Sequence, residues 1–354
     1  MNLLDRIELN SLTLEELRKL MVSIGEKSYR GEQLFTFIHN NYGKRIEDIS
    51  VFSIGLRDKL KKIGKINRTK VLERFDSNID NTKKYLFLLA DDNIVEGVVM
   101  EYKHGLTACI STQVGCKMGC SFCASTKEGF IRNLNSSEMV NQIYNMEMDL
   151  NKKISNIVLM GSGEPLDNYE NTLNFLNIIH DEKGHNISYR NITLSTCGVV
   201  PRIYQLADKE IPITLSISLH SPWDDVRKNI MPIGNKYSIN EIIQACKYYF
   251  NKTNRRITIE YTLIEGVNDR DRDLEELVVI LKDLNCHINL IPLNPIAEFK
   301  QHRPSEKYVE RFKRGLEMAK LPVTIRKEMG GDISASCGQL RRSYIRDKDT
   351  RTFQ

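Results

Sequence analysis

The sequence predicts an α/β fold: a partial (β/α)6 barrel preceded by a small helical domain. Three observations predict it. Apolar, β-branched runs recur from residue 107 onward, and amphipathic stretches separate them. This alternation is typical of a parallel sheet with helical crossovers. Six such units are present, fewer than the eight that close a barrel.

The first 65 residues predict short amphipathic helices. Thr13 and Glu16 have the spacing of a capping box at the start of the first helix. A second helix is expected from Arg30 and a third over residues 53–62. The next residues become strand-like, with segments at 84–90 and 93–100 joined by a turn.

The core elements follow from the same periodicity. Strands are predicted over residues 108–112, 157–160, 192–195, 213–219, 257–263 and 288–291, with a short final strand over 323–326. Helices are predicted over residues 137–150, 169–179, 203–208, 239–250, 273–284 and 305–320. We therefore expect a helical accessory domain (1–65), a β-rich connecting segment (66–105), a core barrel (106–330) and a C-terminal loop with a basic tail (331–354).

Composition limits the class of protein. The 354 residues are 41% hydrophobic, enough for one large and one small domain. No stretch approaches the roughly 20 apolar residues of a membrane span. The acidic, interrupted start is a poor signal peptide, so the eight cysteines are expected to be reduced thiols in the cytoplasm.

Basic charge is concentrated near the C-terminus. Residues 300–327 hold nine Lys and Arg against three acids, whereas the whole chain has a net charge of only +5. The tail adds Arg341, Arg342, Arg346, Lys348 and Arg351. Such clustering is typical of nucleic-acid binding, although a solvated helix face would also produce it.

Cys116, Cys120 and Cys123 form a Cys-x3-Cys-x2-Cys motif. Three thiolates are one short of the four that close an iron–sulfur cluster or a structural zinc site. A cubane cluster on three cysteines keeps one iron open to chelate a small molecule. The alternative is zinc with Cys109 or a distant His as fourth ligand, but the second cysteine pair typical of zinc sites is missing from the sequence.

Polar residues follow the predicted strands, where functional residues of such barrels collect. Gly161-Ser-Gly-Glu-Pro165 follows the second strand. The candidate ligand-binding residues are Gly163, Glu164, Ser195, Ser218, Leu219, His220 and Asn294. Each alone could be an ordinary hydrogen-bonding residue, and their shared position at one edge favours a site.

Three further residues stand out. Cys337 lies in a glycine-flanked polar loop near cations, as expected of an accessible nucleophile. Cys109, on the first core strand, is either a second functional thiol or a buried small hydrophobe. Glu96 is an acid in an apolar strand, which is either a surface-facing position or a desolvated base.

The cysteine motif, with an aromatic residue before its last cysteine, resembles that of the radical S-adenosylmethionine (SAM) superfamily. The chain resembles the RlmN family more specifically, through Gly161-Ser-Gly-Glu-Pro165, Ser195-Thr-Cys-Gly198, Ser218-Leu-His-Ser-Pro222, Pro292-Leu-Asn-Pro295 and Cys337-Gly-Gln-Leu340. The resemblance covers nearly the whole chain. It implies a TIM-like radical SAM barrel that methylates C2 of an adenosine in the peptidyl transferase region of 23S rRNA and of adenosine 37 in the tRNA anticodon loop.

The resemblance also implies residue roles. Cys116, Cys120 and Cys123 would hold one [4Fe-4S] cluster, and the strand-end residues would bind SAM, used twice per turnover. Cys337 would carry a methyl group, Cys109 would resolve the intermediate through a transient disulfide with Cys337, and Glu96 would accept the C2 proton. The implied partners are 23S rRNA, tRNA and a flavodoxin- or ferredoxin-type reductant. A monomer is the default expectation.

Three alternatives remain open. The related Cfr family methylates adenosine C8, but it typically has Ala at the position of Pro165 and lacks the cysteine found here at 197. A zinc-containing RNA-binding protein and a radical SAM activase of a glycyl radical protein are the others. One departure from the RlmN pattern is Ser162, where the family often has Met. No role beyond packing is predicted for Cys197, Cys246 or Cys286.

Overall fold

The computed structural model describes residues 6–340. The strands are β1 (Ile7–Glu8), β2 (Gly64–Lys65), β3 (Lys70–Asp76), β4 (Lys83–Leu88), β5 (Ile94–Tyr102), β6 (Gly105–Cys109), β7 (Gln113–Gly115), β8 (Phe130–Asn133), β9 (Ile154–Leu159), β10 (Ile192–Thr196), β11 (Thr214–Ser218), β12 (Ile257–Leu263), β13 (Cys286–Pro292) and β14 (Val323–Ile325). The helices are α1 (Leu14–Ser23), α2 (Tyr29–His39), α3 (Ile54–Ile63), α4 (Ser136–Leu150), α5 (Tyr169–His180), α6 (Val200–Asp208), α7 (Asp224–Ile230), α8 (Ile239–Thr253), α9 (Asp271–Leu281) and α10 (Glu306–Met318).

Helices α1 to α3 form the N-terminal part, and the predicted capping box is confirmed. The Thr13 hydroxyl accepts a hydrogen bond from the Glu16 N–H, and the Glu16 carboxylate accepts one from the Thr13 N–H. Helix α2 crosses α1 closely at Gly31. A Cβ placed there would lie 2.6 Å from the backbone nitrogen of Arg18, so this crossing requires glycine.

A ten-stranded sheet forms the centre, in the order β14-β13-β12-β11-β10-β9-β6-β5-β4-β3. The strands from β6 to β14 in this sheet pair in parallel, and β3, β4, β5 and β6 pair antiparallel. The described part of the sheet does not close on itself, because β3 and β14 lie at its two edges. The α/β prediction and the open parallel arrangement are confirmed.

Helices cross between most of the parallel strands. Helix α10 buries Val309, Phe312 and Leu316 as its spacing predicts, and β14 follows it as expected. Two differences matter for the site. Helix α7 is absent from the sequence-based prediction, and β3, β4 and β5 continue the core sheet instead of standing apart.

Among residues 6–340, no helix is long and apolar enough to cross a lipid bilayer.

The α1–α2 crossing generates a stability prediction. Gly31→Ala should lower the free energy of unfolding by about 1–3 kcal/mol, because the new methyl group meets backbone that cannot move aside. Gly55→Ala, in α3, is the matched control. It meets no atom within 4 Å and should raise stability by about 0.5–1 kcal/mol. Thermal unfolding followed by circular dichroism checks both, and equal shifts in the two variants would contradict the prediction.

Candidate functional site

An open cavity of about 940 Å³, part of it continuous with solvent, lies at the carboxyl ends of the parallel strands. It brings together most of the residues that the sequence singled out. These are Cys116, Cys120, Cys123, Gly163, Glu164, Ser195, Ser218, His220, Asn294 and Cys337. Leu219, Cys109 and Glu96 do not line it, and the Leu219 side chain is packed in the hydrophobic core.

The three motif cysteines lie on the loop that follows β7. Cys116 is buried and the other two are partly exposed. Burial raises the pKa of Cys116 to about 12 and that of Cys120 further, since a desolvated thiolate is unfavourable. Neighbouring thiols add to both effects. Among the described residues, no three His, Cys, Asp or Glu side chains are arranged to hold a single metal ion. A set of soft thiolate donors spread along one wall of a large cavity suits an iron–sulfur cluster.

Glu164 places a buried carboxylate in this cavity. Its Oε2 accepts a hydrogen bond from the Cys197 N–H at 2.7 Å, and its Oε1 accepts one from the Leu166 N–H at 3.0 Å. Burial raises the pKa of Glu164, while these hydrogen bonds oppose that rise. The carboxylate is therefore fixed in direction before any ligand arrives.

The glycines beside Glu164 let its loop lie directly on the neighbouring chain. A Cβ on Gly163, which has φ of +110°, would lie 2.6 Å from the Gln113 side chain. Ser162 does not line the large cavity, and its hydroxyl donates a hydrogen bond at 3.0 Å to that of Ser125, which does. Serine at this position therefore removes no group from the cavity wall.

His220 lines the cavity as a neutral imidazole. Its Nδ1 accepts a hydrogen bond from the Thr262 N–H at 2.9 Å, so Nε2 carries the proton. Burial, together with the nearby Arg227, lowers the pKa of His220 to about 3. The ring of Phe122, from the cysteine motif, packs edge-on against it at a centroid distance of 5.0 Å.

Two charged residues of the cavity, Glu260 and Arg326, were not among the predicted site residues. Glu260, on β12, accepts hydrogen bonds from Ser216 at 2.9 Å and Asn289 at 3.1 Å. Its second oxygen lies 3.6 Å from the guanidinium of Arg326. An acid inside the apolar run of β12 was the available signal, but its partners come from neighbouring strands.

Cys337 borders two cavities. Besides the large one, it lines a second cavity of about 620 Å³ that also contains Cys109, Met160 and Arg326. The Cys337 carbonyl accepts a hydrogen bond from the Asn294 side chain at 3.0 Å. Both cysteines are free thiols in the structure.

The two thiols differ in access. Cys109 is buried and Cys337 is exposed. Burial, reinforced by the neighbouring Cys337, raises the pKa of Cys109 to about 12. Desolvation also raises the pKa of Cys337, but the positive charge of Arg326 opposes that rise.

Glu96 lies on the same face of the sheet as Cys109. Val98 pairs directly with Cys109 across β5 and β6, and Glu96 is two residues before Val98. Glu96 is only 5% exposed, so the surface-facing alternative is wrong. The Lys84 ammonium lies 3.7 Å from its Oε1. Glu96 lines neither of the two cavities in the described part of the chain.

The basic segment 300–327 is mostly solvent-exposed. Arg303, Arg311 and Lys313 pair with nearby acids, and Arg326 points into the cavities. The remaining cations are exposed without an ion pair among the described residues, namely Lys300, Lys307, Arg314, Lys320 and Lys327. The predicted basic tail, Arg341 to Arg351, lies outside the described residues.

Comparisons with known proteins match both parts of the chain. The radical SAM superfamily matches residues 110–278, and the ribosomal RNA large subunit methyltransferase N-terminal domain matches residues 7–66. A probable dual-specificity RNA methyltransferase RlmN of Alkaliphilus oremlandii is 52% identical over 97% of this chain and 100% of its own length. The corresponding protein of Clostridioides difficile is 50% identical over 96% of this chain and 98% of its own length.

A crystal structure of a radical SAM methyltransferase from Sphaerobacter thermophilus is similar throughout. It has a TM-score of 0.88 and 39% sequence identity, and it covers 94% of this chain and 99% of the other. The similarity therefore extends to the N-terminal helices as well as to the sheet.

The different environments of the thiols predict their reactivity. In reduced, metal-free protein, iodoacetamide should modify Cys337 at least tenfold faster than Cys109. Cys109 is buried, and with a pKa of about 12 only about one part in ten thousand is thiolate at pH 8. Both rates should rise with pH, because the thiolate fraction grows below each pKa.

Peptide mass spectrometry of timed samples measures these rates. Cys246, which is buried in the core, is the internal standard for an inaccessible thiol. Modification of Cys109 as fast as Cys337 would contradict the arrangement described.

Proposed function

The chain belongs to the RlmN family of radical SAM proteins, and on that premise we propose that it methylates C2 of adenosine in 23S rRNA and in tRNA. The family resemblance inferred from the motifs is confirmed by relatives about half identical over nearly the full length. The observation that carries the proposal is the position of Cys337. Its thiol borders both the cavity of the cysteine motif and the cavity of Cys109.

Cys116, Cys120 and Cys123 would hold one [4Fe-4S] cluster. Three thiolates leave the fourth iron open, which is the reason that this motif suits SAM better than a closed site does. When bound, such a cluster would supply the single electron for reductive cleavage of SAM, and a methyl group on Cys337 would be the source of the hydrogen atom that is then removed.

The cavity supplies groups suited to the polar parts of SAM. Glu164 offers a carboxylate to an ammonium group, and its direction is already fixed by two backbone N–H groups. Ser195, Ser218, His220 and Asn294 offer hydrogen bonds around the same space, and Gly163 allows close approach of the backbone. Leu219 would contribute only through its backbone, since its side chain is buried in the core.

Cys337 would first accept a methyl group on sulfur, displacing it from one SAM. The exposed position of Cys337 supports this role, because the thiol must reach a cofactor. A second SAM would then be consumed at the cluster. After the methylene carbon on Cys337 bonds to adenine C2, the RNA is joined covalently to the protein.

Glu96 would remove the proton from C2, and Cys109 would release the product. Glu96 is buried on the sheet face that carries Cys109, and the position of its carboxylate near that thiol supports the role of proton acceptor. With one electron of the adduct returned to the cluster, the Cys109 thiolate would attack the Cys337 sulfur. The bond from that sulfur to the methylene carbon would break with its electron pair on carbon, a proton would complete the methyl group, and a Cys109–Cys337 disulfide would form. A reductant of the flavodoxin or ferredoxin type would supply the electrons that the cluster requires, and thiol exchange would reset the disulfide.

RNA would be held by the N-terminal helices together with the basic C-terminal segment. The five exposed cations of residues 300–327 fit phosphate contacts, whose strength falls with salt. We assign RNA binding to residues 1–65, the radical SAM core to 106–330, the connection between them to 66–105 and the reactive loop to 331–354. The target adenine must leave its stack to reach the cavity, which favours loops or partly unfolded rRNA.

The reaction product tests the proposal directly. Reconstituted enzyme, incubated anaerobically with SAM, a reductant, a 23S rRNA fragment and tRNA, should produce 2-methyladenosine, detected by nucleoside mass spectrometry. Cys337→Ala should abolish the product while iron content stays at about four per chain. 8-Methyladenosine would instead indicate a Cfr-type enzyme, and methylation that survives in Cys337→Ala would exclude the methylcysteine route.

Loss of the resolving thiol should trap an intermediate. Cys109→Ala should accumulate a covalent RNA–protein adduct, because no second thiol remains to attack Cys337. Denaturing gel electrophoresis with labelled RNA shows the adduct, and nuclease digestion with peptide mass spectrometry locates it on Cys337. Cys246→Ala is the control and should turn over normally, since Cys246 lies in the core. Normal turnover in Cys109→Ala would refute the disulfide step.

A further inference from the structure

Arg227, on helix α7, is completely buried, which is unusual for an arginine. Its guanidinium bonds only to backbone. Nη2 donates to the Cys197 carbonyl at 2.6 Å and to the Ser218 carbonyl at 3.4 Å, and Nε donates to the Leu219 carbonyl at 3.2 Å. These carbonyls belong to the ends of β10 and β11, the segments that carry candidate SAM-binding residues.

The Arg227 guanidinium has no close carboxylate partner. Among the described residues, no acid forms an ion pair with it within 4 Å, and Nη1 has no hydrogen-bond partner. Burial lowers the pKa of Arg227, and the thiols of Cys197 and Cys120 together with the Asp224 carboxylate oppose this effect. A buried cation is costly unless an anion compensates it.

The anion expected here is the cluster site itself. Cys120, one of the three motif thiols, lines the same cavity as Cys197, whose carbonyl accepts directly from the Arg227 guanidinium. Three thiolates around a cluster and the carboxylate of SAM would bring negative charge to the cavity wall that Arg227 stands behind. The backbone of Cys197 connects the negative Glu164 to the positive Arg227, because its N–H donates to Glu164 and its carbonyl accepts from Arg227.

We propose that Arg227 is a positioning residue that holds the ends of β10 and β11 together and supplies the positive charge that balances the cluster and SAM. The inference rests on the proposed cluster and SAM site, but not on the identity of the RNA substrate. The proposed role of Arg227 has two parts. The clamp, meaning the hydrogen bonds to the strand-end carbonyls, requires the forked guanidinium, whereas the positive charge can be provided by any cation.

Two substitutions separate the clamp from the charge. Arg227→Gln removes the charge, and Arg227→Lys keeps it but cannot bridge three carbonyls. Arg202→Gln and Arg202→Lys are matched controls, because Arg202 lies partly exposed on the neighbouring helix α6 and faces Glu170 at 3.8 Å.

Three measurements are made on each variant. Hydrogen–deuterium exchange of the metal-free protein reports the mobility of residues 195–220. Equilibrium dialysis reports SAM affinity after anaerobic reconstitution, and a redox titration followed by electron paramagnetic resonance reports the midpoint potential of the cluster.

Arg227→Gln should bind SAM at least tenfold more weakly and have a lower midpoint potential, since the reduced cluster carries the extra negative charge. Arg227→Lys should keep a potential close to wild type but show faster exchange at residues 195–220 and weaker SAM binding. The Arg202 variants should match wild type in all three measurements.

Wild-type potential and SAM affinity in a folded Arg227→Gln protein would overturn the proposal. If that variant does not fold, Arg227→Lys decides, because unchanged exchange and SAM affinity there would also overturn it. Failure of the RNA assignment is distinguishable, since none of these measurements uses RNA. A wild-type protein that binds no iron would refute both this inference and the proposed cluster.

Discussion

The site depends on the register of the parallel strands. Ser218 pairs with Glu260 and Leu263 pairs with Pro292, so successive strands end within a few residues of one another along one edge. Backbone groups at that edge have no further strand to bond, so buried side chains form hydrogen bonds with them instead. Arg227 donates to three carbonyls, and Glu164 accepts from two N–H groups. The same register brings Ser216 and Asn289 to either side of Glu260. A ligand-binding edge is therefore a direct consequence of sheet geometry.

The second determinant is the return of the chain to its own cysteine loop. The Ala124 N–H donates to the Gly338 carbonyl at 2.7 Å, and the Ser125 hydroxyl donates to the Leu340 carbonyl at 2.8 Å, across 215 residues of sequence. These bonds hold Cys337 between the two cavities. The loop is thus packed on the segment that would bind the cluster, so any distortion of one is felt by the other. Placement of the reactive thiol is a property of the complete fold.

Sequence reasoning identified residues that the structure brings to one cavity where they are close in the chain, as at the cysteine motif and the glycine-rich loop before Pro165. It failed where function depends on partners that only the fold supplies. Arg227 lies on a seven-residue helix among Asp224, Asp225 and Lys228, a pattern that indicates a solvated face. The hydrogen-bond partners of Glu260 come from neighbouring strands, so the sequence around Glu260 does not reveal them. Leu219 was grouped with Ser218 and His220, yet the alternation of side chains along a strand directs it to the opposite side, into the core.

The buried charges explain how the cavity can be ordered before it is filled. Glu164 and Glu260 each bond to fixed protein groups on one side and line the cavity on the other, and Arg227 bonds to backbone carbonyls behind the cavity wall, so little reorganisation is needed when a ligand enters. The backbone of Cys197 links Glu164, which accepts from its N–H, to Arg227, which donates to its carbonyl. A displacement of Arg227 would therefore also displace Glu164, the group proposed to receive the SAM ammonium. On this view the backbone of Cys197 has the connecting role, and its thiol mainly packs beside it.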